Sequence, residues 1–421
     1  MLSALLLSIL VVLLLPICLE AMSAPPSHLV IVGAGIQGAS VAYFISKMAP
    51  STKLTVLESN PTASPHASSK GGGFLARSWG DGSVTQSLHH TSFDLHASLA
   101  KEWGLTSYRA IPVLSVQPGA KQFKPSQPQM PNWLDGQGGR VSSMSDGSDT
   151  AQVHPKEFTS EALRRSKADV RTSATVAGVE TDGPDRAVTG VRLEDGTVIE
   201  CDAVCCAMGP WSPKAMDFFD TINVPVQGIK STSIVWEPRK GEGTDGVALF
   251  CGEDDRFNTH LEVYPRPSGE IYCCGVGGSD YIQPDELRAG AFLDASTCLA
   301  NPARVSAAAA SLHAMSATYK SVGGPTTTQA CMRPCASDAL PIMGSVPGYK
   351  GAFLNCAHNC WGILWAPGAG KAMAEHIVNG ATSEVDLRPF DVSRFGVKEP
   401  SSNTAKTRGR KKGSTSVGEQ W

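Results

Sequence analysis

The chain has no usable N-glycosylation acceptor: the Asn-x-Ser/Thr spacing at Asn60 is blocked by Pro61. That absence argues against a secreted glycoprotein. No Lys or Arg precedes the apolar run Leu2 to Leu19, so the positively charged start of an ordinary secretory leader is missing. Charge of neither sign prevails. Lys plus Arg number 36 and Asp plus Glu 39, for a formal net charge of −3, which gives no reason to expect a nucleic-acid partner. No Cys/His spacing matches a metal site. His89, His90 and His96 accompany Leu88, Leu95 and Leu99 in a helical pattern and read as packing or surface histidines.

What remains is a long chain with ample apolar content. Its 421 residues are 42% hydrophobic, enough for two or three domains. The 42 glycines and 28 prolines imply many turns. Leu2 to Leu19 carries no charge, and its length lies at the border between a signal peptide and a membrane anchor. Ala21, Ser23 and Ala24 would permit cleavage without defining a clean site. Residues 1–25 are therefore set aside from the fold. Of the twelve cysteines, Cys205-Cys206 and Cys273-Cys274 sit in apolar, strand-like runs, where neighbours point to opposite faces. They read as buried free thiols. Together these features favour a membrane-associated or endomembrane protein, its catalytic domain facing the cytosol behind an anchor.

One stretch organises the rest. Leu29 to Val32 is an apolar run suited to a buried parallel strand, and it breaks at Gly33. Gly35 and Gly38 complete G-x-G-x-x-G, and Ala39 to Met48 follows as a helix. About twenty residues on, a second apolar run ends in Glu58, the layout of a dinucleotide site. Gly33 allows the tight turn. Gly35 lets a pyrophosphate approach the backbone. Gly38 lets helix and strand pack closely. Helix N–H groups attract phosphate, and Glu58 can accept hydrogen bonds from a ribose. This stretch alone does not separate NAD from FAD.

Further along, Ala67 to Ala76 brings small residues, hydroxyls and three successive glycines, as suits a backbone hugging a ligand. Residues 116–150 read as a loop-rich insertion tacked down by Trp133 and Leu134. Val170 to Val179 and Ala187 to Leu193 read as strands, with a turn at Asp195-Gly196. The apolar strand at Ala203 to Cys206 stops at Gly209-Pro210-Trp211, a second candidate contact to the same ligand. Residues 225–280 alternate as a mostly antiparallel sheet, Ala303 to Leu312 is helical, and Thr328 to Cys331 is expected to return to the first domain. Ala352 to Leu354 is a strand. His358 to Ile363 then turns into a helix and can present N–H groups to a ligand. Lys406, Arg408, Arg410, Lys411 and Lys412 make a basic tail expected to be disordered.

These parts resemble, in order, the D-amino-acid-oxidase-like superfamily of FAD-dependent oxidoreductases. The resemblance rests on Gly33-Ala34-Gly35 through Glu58, the Ser68 to Gly73 loop, Ala207 to Trp211, Arg333-Pro334 with Asp338, Pro341 and Gly344, and Pro389-Phe390 with Arg394-Phe395. Ser69 to Ala76 and His358 to Leu364 look closest to a eukaryotic subgroup that includes plant FAD-dependent oxidoreductase proteins and a yeast oxidoreductase. The resemblance implies an α/β fold of mixed α+β character: a Rossmann-type FAD-binding domain with an inserted, mostly antiparallel substrate domain. The expected bounds are 26–115, 151–220 and 321–395 for the FAD domain, 221–320 for the substrate domain and 396–421 for the tail.

It also implies FAD and not NAD, and oxidation of a C–N bond in a small amine or amino acid by hydride transfer to the flavin. Cofactor contacts are expected at Gly33, Gly35, Ile36, Gly38, Glu58, Ser69, Lys70, Gly71, Gly72, Val176, Gly209, Trp211, Cys360, Trp361, Gly362 and Ile363. Arg333 is expected to hold a substrate carboxylate; the alternative is a structural pair with Asp338. Tyr264, Arg266 and His358 are expected near the flavin. In sarcosine-oxidase-like relatives a cysteine in a context like Cys331-Met332 carries covalent flavin, but the residues after Met332 depart from that pattern. No lysine matches the one those relatives use to activate oxygen, so oxygen, a quinone or another protein remain open as acceptors. A competing reading is a membrane-associated flavoprotein with a trafficking or partner-binding role and largely structural FAD.

Overall fold

The computed structural model describes residues 24–123, 130–237 and 245–396. The apolar run Leu2 to Leu19 and the basic tail from residue 397 lie outside the described residues.

His28–Val32 is buried along its whole length, as an apolar run covered on both faces should be. It is central in a six-stranded sheet. The order is Ile342–Ser345, Ala352–Cys356, Ala203–Cys206, His28–Val32, Lys53–Leu57 and Asp169–Arg171. All neighbours are parallel except the first pair. The two-residue period of the strand sorts its side chains. Leu29 and Ile31 join the core under helices Ile36–Met48 and Gly362–Asn379. Val30 and Val32 join the core on the opposite face, with Val191, Phe219 and Val204. Register aligns Val32 with Leu57 and with Cys206. Three carboxyl ends therefore finish at one level, where ligands bind in such sheets.

The second large sheet runs Asp280–Ile282, Val226–Trp236, Ile271–Cys274, Glu262–Pro265, Ala248–Cys251, Val113–Val116 and Val141–Ser145. Only the pairing of Val113–Val116 with Ala248–Cys251 is parallel. Trp236, Leu249, Leu261 and Ile271 fill one face under helix Pro302–Met315. Trp133 and Leu134 are buried in that same cluster.

Three segments differ from expectation. Thr327–Ala336 does not return to the first sheet. It pairs antiparallel with Val226–Trp236 from Val226↔Ala336 to Val235↔Thr327, because that ladder satisfies the backbone of the whole segment. The chain crosses back only at Ile342. Within the region read as loop-rich, Val141–Ser145 is a strand; its Ser-Ser-Met-Ser composition hid the alternation. The run Val170 to Val179 is two strands in two sheets, broken at Ser173, where φ is 52°.

Candidate active site

The glycine turn is built by close approach. Gly33 has φ +111°, and a Cβ there would lie 2.4 Å from the Ala207 carbonyl oxygen. Its N–H donates to the Leu57 carbonyl at 2.8 Å. The turn is thus wedged between both neighbouring strands, and only glycine fits. At Gly38 a Cβ would meet the Gly33 carbonyl oxygen at 2.1 Å, so this position serves helix–strand packing and does not face the cavity. Helix Ile36–Met48 starts at Gly35 without a side-chain cap. The Ile36 N–H reaches Ser68 Oγ at 2.9 Å, and Gln37 Nε2 donates to the Gly362 carbonyl at 2.7 Å. Two later segments are thereby tied to the first helix.

One cavity runs from this turn to the second sheet. Its walls include Gly33, Gly35, Ile36, Glu58, Gly71, Gly72, Val176, Gly209 and Trp211. They also include Tyr264, Arg333, His358, Cys360, Trp361, Gly362 and Ile363. Ser69, Lys70 and Arg266 are not on its walls. Residues Ala67–Lys70 form a single helical turn, which puts Ser68 at the cavity and turns the next two residues elsewhere. Ser69 Oγ meets Ser64 Oγ at 2.8 Å, and Lys70 Nζ donates to the Ala330 carbonyl at 3.1 Å. Lys70 thus fastens this loop to the second sheet. Arg266 is 7% exposed and pairs with Glu270 at 3.1 Å. Its guanidinium lies over the Tyr272 ring at 5.4 Å.

At the adenine-side end, Glu58 Oε1 accepts from the Asn60 N–H and Asn60 Nδ2, both at 3.0 Å. No described residue donates to Oε2. Trp211 donates through Nε1 to the Ala291 carbonyl at 2.9 Å, and its ring lies 4.5 Å from that of His66. Several buried polar atoms on the walls lack any hydrogen-bond partner among the described residues. They are Gln37 Oε1, His66 Nδ1, Asn359 Oδ1 and both ring nitrogens of His358. Buried polar atoms are normally satisfied, so these mark where a polar ligand completes the structure. Burial pushes the His358 imidazole down to about 3 and that of His66 to about 4, so both are neutral at pH 7. The glycine turn, Glu58 and these atoms fit FAD.

At the other end, Arg333 Nη2 donates to Ser231 Oγ at 3.3 Å. Asp338, the alternative partner, is instead taken by Arg394 Nε at 2.7 Å. The Tyr264 hydroxyl donates to Glu262 Oε2 at 2.5 Å, and its ring stacks on Phe74 at 5.5 Å. Burial, with Glu262 beside it, pushes the Tyr264 phenol well up. A Cβ on Gly72 would lie 2.6 Å from the Tyr264 ring, so the glycine loop and the second sheet touch here. Cys331 also lines the cavity. Burial pushes its thiol up to about 11, so it is not a thiolate at pH 7.

The sequence reading missed Ser231, Trp79, Phe250 and Glu262 on the walls, and it placed Ser68 and Phe74 in the ligand-hugging loop without singling them out. Glu262 had a signal: it precedes Tyr264 by two residues and so shares its face. Among the described residues no cluster of His, Cys, Asp and Glu is arranged to hold a metal. The eleven cysteines among them are free. No helix among them is long and apolar enough to cross a membrane.

A dinucleotide cradle joined to an antiparallel sheet by one cavity defines a flavin-type oxidoreductase architecture. A family model described as "DAO: FAD dependent oxidoreductase" matches residues 28–376. The chain belongs to this family of FAD-dependent oxidoreductases, and FAD is its cofactor. A Schizosaccharomyces pombe protein that carries only the general name of oxidoreductase is 26% identical over 397 residues, 86% of this chain and 97% of its own. Two solved structures share the fold. L-proline dehydrogenase from P. horikoshii superposes with a TM-score of 0.69 at 17% identity. Glycine oxidase from Geobacillus kaustophilus does so with 0.68 at 16%. Each comparison covers 88% of this chain and 98% of the other.

Proposed function

We propose that this protein oxidises a C–N bond of a small amino acid, with FAD receiving the hydride. The observation that carries the reading is Arg333 on the wall of the same cavity as the dinucleotide cradle. The names of the solved relatives, an L-proline dehydrogenase and a glycine oxidase, support the substrate class.

Bound FAD supplies the hydride acceptor and carries the electrons onward. The residues that would hold it are the Gly33–Ile36 turn at the pyrophosphate and Glu58 at the ribose. Gly71, Gly72, Val176, Gly209, Trp211 and the segment from Cys360 to Ile363 would complete the cradle. Arg333 binds the substrate carboxylate with a guanidinium that stays charged, and its fork fixes the orientation of the α-carbon. Phe74, Tyr264 and Tyr272 make that end of the cavity apolar and exclude water. His358 is neutral and buried, so it orients by accepting or donating a hydrogen bond and does not act as a cationic acid.

Replacing Arg333 by Ala tests this reading. Charge-assisted hydrogen bonds are worth about 1.5–3 kcal/mol, so KM for a carboxylated substrate should rise by roughly 10- to 100-fold. The matching amine without a carboxylate should be affected far less. Equal effects on both would contradict the role given to Arg333.

A further inference from the structure

Glu262 is an acidic wall residue that neither cradles the dinucleotide nor holds the substrate carboxylate. It opens the strand Glu262–Pro265 and faces the cavity. Register places Cys274 on one side of it and Phe250 on the other. Tyr264 and the Cys274 thiol both donate to Oε2, at 2.5 and 3.3 Å. Among the described residues nothing donates to Oε1, and no Lys or Arg pairs with the carboxylate. A half-buried carboxylate with no ion-pair partner is costly unless a ligand brings one.

Aromatic rings surround it. The Phe250 ring lies 5.1 Å from Phe74, 5.2 Å from Trp79 and 5.9 Å from Tyr264. An acid set in an aromatic corner matches an organic cation. Arg333 and Glu262 share the cavity, but the strands that carry them are separated by Val226–Trp236 and Ile271–Cys274. Their backbones are three strand spacings apart across the sheet and offset by four residues along it, from Gln329 to Arg333, roughly 19 Å in all. A ligand touching both must therefore be extended, with an anion at one end and a cation at the other.

That cation is unlike an amine undergoing oxidation. The reacting nitrogen must lose its proton, so that its lone pair can stabilise the carbon from which hydride departs. A fixed carboxylate against it would hold that proton on. Glu262 suits a cation that keeps its charge throughout. Resting on the amino-acid oxidation reading above, we propose that the cavity is built for an amino acid with a second, side-chain cation. The substrate carboxylate sits on Arg333, and the side-chain ammonium or guanidinium sits on Glu262 Oε1 against the wall formed by Phe74, Trp79 and Phe250.

The test uses the purified holoprotein under anaerobic conditions. Lysine and norleucine, each as both enantiomers, are titrated while perturbation and bleaching of the flavin spectrum are followed. The two ligands differ only by the terminal ammonium. The preferred enantiomer of lysine should bind at least about tenfold more tightly than norleucine, near 1.4 kcal/mol. In Glu262→Gln, which keeps an acceptor for Tyr264, that ratio should fall close to one. In Glu262→Lys it should invert. Flavin content and thermal midpoint of each variant confirm that it is folded. Equal binding of the two ligands by the wild type overturns the proposal, as does an unchanged ratio in a folded Glu262→Gln. If lysine binds with the stated preference and leaves the flavin oxidised, the specificity stands and the oxidation reading falls. If norleucine binds and bleaches the flavin as well as lysine does, oxidation stands and the specificity falls.

Discussion

Single residues here have readable physical states. His96 is fully buried, donates through Nε2 to the Ile363 carbonyl at 2.9 Å and packs 4.6 Å from Phe158. Burial pushes its imidazole down to about 4 from 6.5. Its folded-state pKa is lower than its unfolded one, so the unfolded chain takes up the proton first on acidification. The contribution of neutral His96 is complete above pH 6.5 and is lost as the pH falls toward 4. The total is on the order of 3 kcal/mol, at roughly 1.4 kcal/mol per pH unit. Urea unfolding of His96→Gln between pH 7 and 4.5 should therefore show a shallower fall than the wild type; parallel curves would contradict it. The sequence placed this histidine correctly as a packing residue, because a helix-spaced His among leucines is core more often than ligand. It could not show that Glu262 lacks an ion-pair partner, since that depends on which strands flank it. Nor could it show that Asp338 is taken by Arg394 rather than Arg333, a contact across 56 residues of sequence.

Elements that are local in sequence were the legible ones. The turn from Val32 to Gly38 read directly, because each glycine answers to a neighbour within the same unit or the adjacent strand. Thr327–Ala336 did not. Its partner, Val226–Trp236, lies about a hundred residues earlier, and long-range pairing leaves no periodic trace that names the partner. Ser69 and Lys70 were assigned to the ligand because the loop is rich in small residues, yet one helical turn hands that position to Ser68. Packing between the two principal helices is similarly hidden. A Cβ on Gly370 would lie 2.4 Å from Ser40 Cβ, so helix Gly362–Asn379 rests directly on helix Ile36–Met48. Gly370→Val should cost about 1–3 kcal/mol by overpacking, visible as a lower thermal midpoint. Because Gln37 ties the first helix to Gly362, flavin retention should fall with it. A variant with unaltered midpoint and flavin content would contradict this packing account.

At the scale of the whole molecule, two sheets divide the work. The parallel sheet brings strand ends, a helix N-terminus and Glu58 to one end of the cavity. The antiparallel sheet brings Arg333, Glu262 and an aromatic wall to the other. The loop at Gly71-Gly72, fastened by Lys70 to Ala330, closes the distance between them. The family assignment was legible because its motifs recur along most of the chain. The character of the substrate end was not, because it depends on side chains brought together from strands and loops far apart in sequence. The account stands or falls on one measurement: anaerobic addition of a panel of amino acids, basic ones included, to the purified yellow holoprotein. It predicts that at least one amino acid bleaches the flavin absorbance in stoichiometric fashion. A flavin that stays fully oxidised across the panel would contradict it.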